Sequence, residues 1–107
     1  MARVLAVAPD LMFASRIEAT LGAAGHDVEL VSSIAEATGL EDVDLVVADL
    51  DREPADGVMG LGMPVVGFYA HLNTEIREAA EAAGVDLVVP RSRMAREMPA
   101  LVERLLG

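Results

Sequence analysis

The chain has 107 residues, 53% of them hydrophobic, which suits one domain spanning residues 1–107 around a single core. Its 18 acidic residues outnumber its 8 basic ones, all arginine, and the formal net charge of −10 opposes binding to nucleic acid or to an anionic membrane surface. Cysteine is absent, and neither a membrane-spanning run nor a signal peptide is visible, so we expect a cytoplasmic protein without disulfide or thiolate chemistry.

The first third of the chain predicts a strand, a helix and a second strand. Residues 4–8 are continuously apolar, which is typical of a strand buried on both faces of a parallel sheet. Helical spacing of apolar residues follows over residues 11–24, with Asp10 placed as the N-cap and Gly25 as the stop. Residues 26–31 alternate in polarity and predict a half-exposed edge strand.

The remaining elements continue this alternation. Ser32 or Ser33 can cap a short helix that reaches about Gly39. Three further strands are predicted at residues 44–49, 64–69 and 85–89. A helix from residue 73 to 83 joins the last two, and a final amphipathic helix covers residues 98–106 with Pro99 in its first turn.

This order of elements predicts the fold class. Alternating strands and helices indicate an α/β protein, here a flavodoxin-like, doubly wound, five-stranded parallel sheet with strand order 2-1-3-4-5. Such sheets place functional residues beyond the carboxyl ends of strands one and three. Asp49 ends the third strand and is therefore the first candidate functional residue.

One connection departs from the pattern. The segment 50–63 contains Pro54, Gly57, Gly60 and Gly62, and each glycine inside a helix costs about 1 kcal/mol relative to alanine. We therefore expect the third helix to be short or absent. The sheet face beside it should be thinly covered, by Val58, Met59, Leu61 and Met63.

Over its whole length the chain resembles the receiver domain of bacterial two-component response regulators, such as the chemotaxis regulators. The resemblance rests on the segments 44–49, 54–57, 63–70 and 78–86. It implies that Asp49 occupies the position of the phosphoacceptor. In that family an acid pair after strand one holds Mg²⁺, a Ser or Thr ends strand four, and a lysine–proline pair follows strand five.

The chain departs from the family at most of these positions. The acid pair falls on Ala8 and Pro9, which cannot bind a metal through their side chains, and Asp10 comes one residue late. Tyr69 stands at the Ser/Thr position, and Val89-Pro90-Arg91 replaces the lysine–proline pair. We therefore predict a pseudo-receiver that is not an enzyme, needs no cofactor or metal, and signals through protein–protein contacts.

The resemblance also indicates where a partner, either another protein or a second copy of the chain, would bind. The family commonly dimerises through its fourth helix, fifth strand and last helix, and the thinly covered sheet face is a second candidate, since exposed apolar patches mark interaction sites. The first surface comprises Glu75, Glu78, Leu87, Arg91, Arg96 and Met98, and the second comprises Val58, Met59 and Leu61.

Two alternative functions stay open. One is a phosphorylatable receiver that uses Asp49 with Asp10, Arg91 and Mg²⁺ in an atypical arrangement. The other is a flavodoxin-like domain that binds a nucleotide or cobalamin, although the turn after strand one lacks the glycines of an anion nest.

Several residues also have simple structural explanations. Asp49 can cap a loop amide or pair with Arg91, and Asp10, Asp49 and Asp51 are expected to be solvated more often than to form a weak cation site. His26 is expected on the surface, as is His71, whose alternative is a pH sensor. Arg91, Arg93 and Arg96 suit a solvated loop and helix start, and the six methionines suit gaps in the core.

Overall fold

The computed structural model of the chain describes residues 2–37, 42–70 and 72–107. The predicted end of the short helix near Gly39 and the candidate sensor His71 lie outside these residues. In the described part, five parallel strands form one sheet in the order β2-β1-β3-β4-β5, which confirms the predicted flavodoxin-like fold. The strands are β1 (Arg3–Val7), β2 (Asp27–Val31), β3 (Leu45–Asp49), β4 (Val65–Tyr69) and β5 (Leu87–Pro90).

Helices cover both faces of this sheet. One face packs against the first and last helices and the other against the two shorter middle ones, so the core is divided into two hydrophobic clusters. After β2 the chain forms a 3₁₀ turn at Ile34–Glu36. The helices are α1 (Leu11–Ala23), α2 (Ala55–Met59), α3 (Thr74–Ala82) and α4 (Arg91–Leu106).

Local sequence signals set the ends of α1 as predicted. The Asp10 carboxylate accepts the backbone N–H groups of Met12 at 3.0 Å and Phe13 at 3.3 Å, which satisfies two of the four unpaired donors of a helix N-terminus. At the other end Gly25 has φ of +94°, a left-handed conformation that glycine adopts without strain. Since α1 begins four residues after the end of β1, its first turn lies at the carboxyl edge of the sheet.

The last helix starts earlier than predicted. It begins at Arg91, and a non-helical residue, Glu97 (φ −120°, ψ 17°), divides it just before Pro99. The proline lacks an N–H and its ring crowds the carbonyl of Ala95, so the chain breaks its helical conformation there. The predicted helix 98–106 is the second half of α4. Arg91, Arg93 and Arg96, expected in a solvated loop and helix start, form the helix start, and the loop part of that expectation is wrong.

His26 was expected on the surface and Met98 was a candidate for an interaction surface, but both side chains are buried. His26, expected on the surface, is 8% exposed. Its Nδ1 accepts the Ala2 N–H at 3.2 Å, which places the ring proton on Nε2, where it can donate to Glu103 Oε1 at 3.0 Å. Met98 is completely buried beside Met94 in the cluster under α1 and α4, so it fills the core as the methionines were expected to do.

The short third helix is confirmed, but its side chains are more deeply packed than expected. α2 has only five residues, beginning after Pro54. Val58 is completely buried, and Met59 and Leu61 are half-buried against the second hydrophobic cluster. The proposed interaction surface of Val58, Met59 and Leu61 is therefore wrong for Val58, whose side chain a partner cannot reach.

None of the helices in the described residues is long and apolar enough to cross a membrane.

Gly67 lets Leu50 pack directly on the central strand β4. A Cβ atom at Gly67 would lie 2.9 Å from Leu50 Cγ and closer still to Cδ1. Because Leu50 Cγ as well as both of its methyl carbons would lie within 3.3 Å of the new atom, a rotation of the side-chain end alone does not relieve the contact.

We expect Gly67→Ala to lower the free energy of unfolding by about 1–3 kcal/mol, because the added methyl overpacks the core beside Leu50. Chemical denaturation measures this change. Gly22→Ala is the matched control, since nothing lies within 4 Å of the new methyl, and it should stabilise α1 by about 1 kcal/mol. Equal stability of Gly67→Ala and the parent chain would contradict the packing described.

Candidate functional site

The sheet gathers the predicted site positions along its carboxyl edge. Val7 pairs with Ala48 in the β1–β3 register, so the next residues, Ala8 and Asp49, are neighbours at that edge. In β4 and β5 the last pair is Tyr69 with Pro90. The positions inferred from the receiver resemblance therefore lie together, as parallel strands require.

Asp49 is buried and already hydrogen-bonded. It is 2% exposed, and its Oδ1 accepts the Asp51 N–H at 3.0 Å. Burial raises the pKa of the Asp49 carboxyl above its ordinary value of 3.8, and the nearby Asp51 charge raises it further, although the Asp51 N–H acts in the opposite direction. The simple explanation, a carboxylate that caps a loop amide, describes what Asp49 does in this structure.

Asp10, in contrast, is an ionised and well-solvated cap. Its second oxygen, Oδ2, accepts a hydrogen bond from Arg91 Nη2 at 2.6 Å. The pKa of Asp10 lies below its ordinary value, first because the Phe13 N–H donates to the carboxylate and then because of Arg91. Asp10 thus serves the helix and the arginine at the same time.

Arg91 is held away from Asp49 by two further contacts with aromatic rings. Its guanidinium carbon lies 4.4 Å from the centre of the Phe13 ring and 6.0 Å from that of Phe68. The two rings are themselves in tilted contact, 4.9 Å between centroids. A guanidinium stacks on aromatic faces and forms directed hydrogen bonds to carboxylates, and both uses are met here without Asp49. Of the two simple explanations for Asp49, the loop-amide cap is found and the pair with Arg91 is not, because the arginine pairs with Asp10.

Asp51 connects the loop after β3 to the loop after β4. Its Oδ2 accepts the Ala70 N–H at 2.7 Å, and its Oδ1 lies 3.5 Å from Asn73 Nδ2. Asn73 in turn caps α3 by accepting the Ile76 N–H at 3.4 Å. This connection was not predicted; an aspartate two residues beyond a strand end was its only sequence signal.

The donor set does not fit the Mg²⁺ ion that the receiver resemblance implies. Ala8 and Pro9 offer no side-chain oxygen at the positions of the acid pair, and Asp10 and Asp51 are committed to backbone and arginine donors. Within residues 2–37, 42–70 and 72–107, no three His, Cys, Asp or Glu side chains are grouped so that they could hold a metal ion. A hard cation needs several such oxygens.

The candidate interaction residues divide by exposure. Glu75, Glu78 and Arg96 are exposed, and Leu87 and Arg91 are half-buried, whereas Met98 is completely buried and is removed from that surface. Sequence reasoning missed three exposed large apolar side chains of the described residues, Leu11 (78%), Met12 (86%) and Leu72 (89%). Leu11 and Met12 open α1, which follows β1, and Leu72 lies between β4 and α3, so all three are at the same edge of the sheet as Asp49.

Comparison with known proteins supports the fold, at low sequence identity. No protein-family model matches the chain, and no curated protein matches it. Among solved structures, the non-phosphorylated HemR receiver domain from Leptospira biflexa matches with a TM-score of 0.82 at 22% identity, covering 100% of this chain and 95% of that one. A CheY-like response regulator receiver domain protein from Methanospirillum hungatei gives a TM-score of 0.83 at 19% identity, with 99% and 94% covered.

The chain has the receiver fold. NtrX from Brucella abortus, solved in complex with ADP, also matches with a TM-score of 0.82 at 20% identity. The match covers 98% of this chain but only 27% of NtrX, so this chain spans about a quarter of that protein. These similarities establish the architecture of the chain alone, and its chemistry depends on the residues at the carboxyl edge.

The opposite pKa shifts of Asp49 and Asp10 predict opposite pH dependences. A raised pKa means that the folded state holds the Asp49 proton more tightly than the unfolded state. The contribution of Asp49 to the stability of the parent chain therefore falls as pH rises from 3.8 through the raised value. Asp49→Asn removes this loss, so the difference in unfolding free energy, variant minus parent, should rise with pH across that window. Urea denaturation at a series of pH values measures it.

Asp10→Asn is the matched control, because asparagine keeps the N-cap but loses the charge that faces Arg91. The Asp10 pKa is lowered, so its contribution is present above 3.8 and lost as pH falls through the lowered value. The same difference should therefore become more negative as pH rises. Parallel slopes for the two variants would contradict this assignment.

Proposed function

We propose that the chain is a non-catalytic pseudo-receiver, a cytoplasmic signalling module that acts by binding another protein and does not depend on phosphorylation of Asp49. One observation carries the proposal. The Asp49 carboxylate is 2% exposed and capped by the Asp51 N–H, while the neighbouring cation, Arg91, is 2.6 Å from Asp10 instead.

The electrostatics at this edge oppose phosphorylation. Phosphoryl transfer depends on cations that neutralise the charge on the transferred group. An aspartate that accepted a phosphoryl group here would gain negative charge beside Asp51, which already raises its pKa. Neither Ala8 nor Pro9 can bring a metal ion to offset that charge, and Arg91 would have to give up Asp10 and its stack on Phe13.

The position of Tyr69 gives a second line of support. In the receiver family a small hydroxyl side chain at the end of strand four contacts the phosphoryl group and relays the switch. Tyr69 ends β4 with only 5% of its surface exposed. A buried phenol ring at this place leaves the chain without the small, mobile hydroxyl that such a relay uses.

A phosphorylatable receiver is the alternative that one specific observation favours. Arg91 is among the charges that lower the pKa of Asp49, so its guanidinium acts on this carboxyl even while bound to Asp10. A rotation of the Arg91 side chain would give Asp49 a cation of its own. The small-ligand alternative gains no such support, since the turn after β1 is built from Ala8, Pro9 and Asp10.

Titration with beryllofluoride and Mg²⁺, followed by amide NMR, tests the proposal. We expect no saturable shifts for the amides of Asp51, Ala70 and Arg91, because the phosphoryl analogue finds neither an exposed carboxylate at Asp49 nor side chains beside it that hold the added Mg²⁺. Asp49→Ala is the matched control and should give the same titration as the parent chain. Saturable shifts in the parent that vanish in Asp49→Ala would establish the phosphorylatable receiver instead.

A further inference from the structure

A groove lies between α2 and α3, on the sheet face away from α1 and α4. It encloses about 490 Å³, within the range of cavities that hold ligands or partner side chains. Leu50, 4% exposed, contributes to its lining from the carboxyl end of β3. Pro54 and Ala55 line it from α2, and Ile76 and Ala79 from α3.

The groove follows from the length of α2 and the side chains of α3. Five helical residues cannot cover a sheet face that a crossover helix of ordinary length would cover. Opposite them, α3 presents alanines, of which Ala79 and Ala82 are exposed. Methyl groups leave empty the volume that larger apolar side chains would fill, so an apolar strip remains without a partner from within the chain.

Acidic side chains border this apolar strip. Asp56 lines the groove on the α2 side. On α3, Glu75 precedes Ala79 by four residues and Glu78 precedes Ala82 by four, so each exposed glutamate neighbours a groove alanine on the helix surface. The one arginine of α3, Arg77, lies on the opposite flank of the helix, beyond the buried Ala80.

These carboxylates have no cation of their own in the described part of the chain. The ion pairs found within residues 2–37, 42–70 and 72–107 leave out all three acids, Asp56, Glu75 and Glu78. The arginines in those pairs bind other acids instead. A ligand for this groove therefore needs an apolar face to fill it and positive charge along its edges.

We propose that the groove binds an amphipathic, lysine- or arginine-flanked helix of another protein. This inference deepens the proposed function and rests on it, because it names the kind of partner that a protein-binding module of this shape would take. A helix fits a groove with apolar residues at positions i, i+3 or i+4 and i+7. Complementary charges at the rim would set its orientation and speed its association.

A second copy of the chain does not supply such a helix. The most arginine-rich helix, α4, uses its apolar side to fill the core, with Met94, Met98, Leu101 and Val102 all buried. Two copies would also each carry a net charge of −10 and repel one another. The occupant is therefore a different protein.

Two synthetic helical peptides test the charge requirement. Both are about 18 residues long, enough for a marginally stable helix, and share one leucine face; one carries flanking lysines and its twin carries glutamates. We expect the lysine peptide to bind at least about tenfold more tightly, and less tightly as salt is added. Fluorescence anisotropy measures binding, and amide NMR should place the shifts at α2 and α3.

Two variants with matched controls test the location. Ala79→Leu fills the groove and should weaken binding at least about tenfold, whereas Ala19→Leu, at an exposed site of α1, should leave it unchanged. The double variant Glu75→Lys/Glu78→Lys should reverse the preference between the peptides, and Glu18→Lys on α1 should not. Circular dichroism confirms that each variant is folded.

Any of four results would overturn the inference: neither peptide binds, both bind equally, the shifts lie outside α2 and α3, or Ala79→Leu has no effect. A concentration-dependent dimer that Ala79→Leu abolishes would also do so, by making a second copy the occupant. The peptide titrations contain no Mg²⁺ or phosphoryl analogue. If the chain responds to beryllofluoride and still binds the lysine peptide, only the proposal that it acts without phosphorylation is overturned. If it does not respond and does not bind the peptide, only the proposed function of the groove is overturned.

Discussion

The position of the Arg91 guanidinium determines which carboxylate at the carboxyl edge is paired with a cation. Arg91 opens α4, bonds Asp10 at 2.6 Å and stacks on Phe13, so one side chain connects the first helix to the last. Because its charge is directed at the solvated Asp10, the buried Asp49 is left with a backbone donor and a neighbouring acid. The pKa values of the two carboxyl groups shift in opposite directions because burial raises that of Asp49, whereas the Phe13 N–H and then Arg91 lower that of Asp10.

The sheet and α1 could be predicted because their signals are local. A continuous apolar run such as residues 4–8 indicates a buried strand wherever it occurs, and Asp10 and Gly25 mark the ends of a helix without reference to the rest of the fold. The glycines between Pro54 and Gly62 limited α2 in the same local way. Strand order then followed from the alternation of elements.

The errors came from contacts between residues far apart in the sequence. His26 is buried because Glu103, 77 residues away, and Ala2 supply its two partners. Arg91 is paired with Asp10 across 81 residues, a choice that no spacing along the chain encodes. Val58 and Met98 were both candidates for an interaction surface, and the packed structure shows that both side chains turn inward.

The placement of like charges matters both at the carboxyl edge of the sheet and around the groove between α2 and α3. A cluster of like-charged acids at a strand end is costly to hold together unless a cation is bound, because each charge disfavours its neighbour's ionisation. Ala8, buried beside Asp49, and Pro9 add no charge to this edge, so Asp51 is the neighbouring acid that raises the pKa of Asp49 there. Asp56, Glu75 and Glu78 are among the acids outside the ion pairs of the described residues, and they lie beside an apolar strip that α2 is too short to cover. A surface that combines uncovered apolar area with a rim of one charge is suited to binding a protein. The buried Asp49 at the carboxyl edge and the acidic groove between α2 and α3 are thus both consistent with a domain that binds a protein and does not transfer a phosphoryl group.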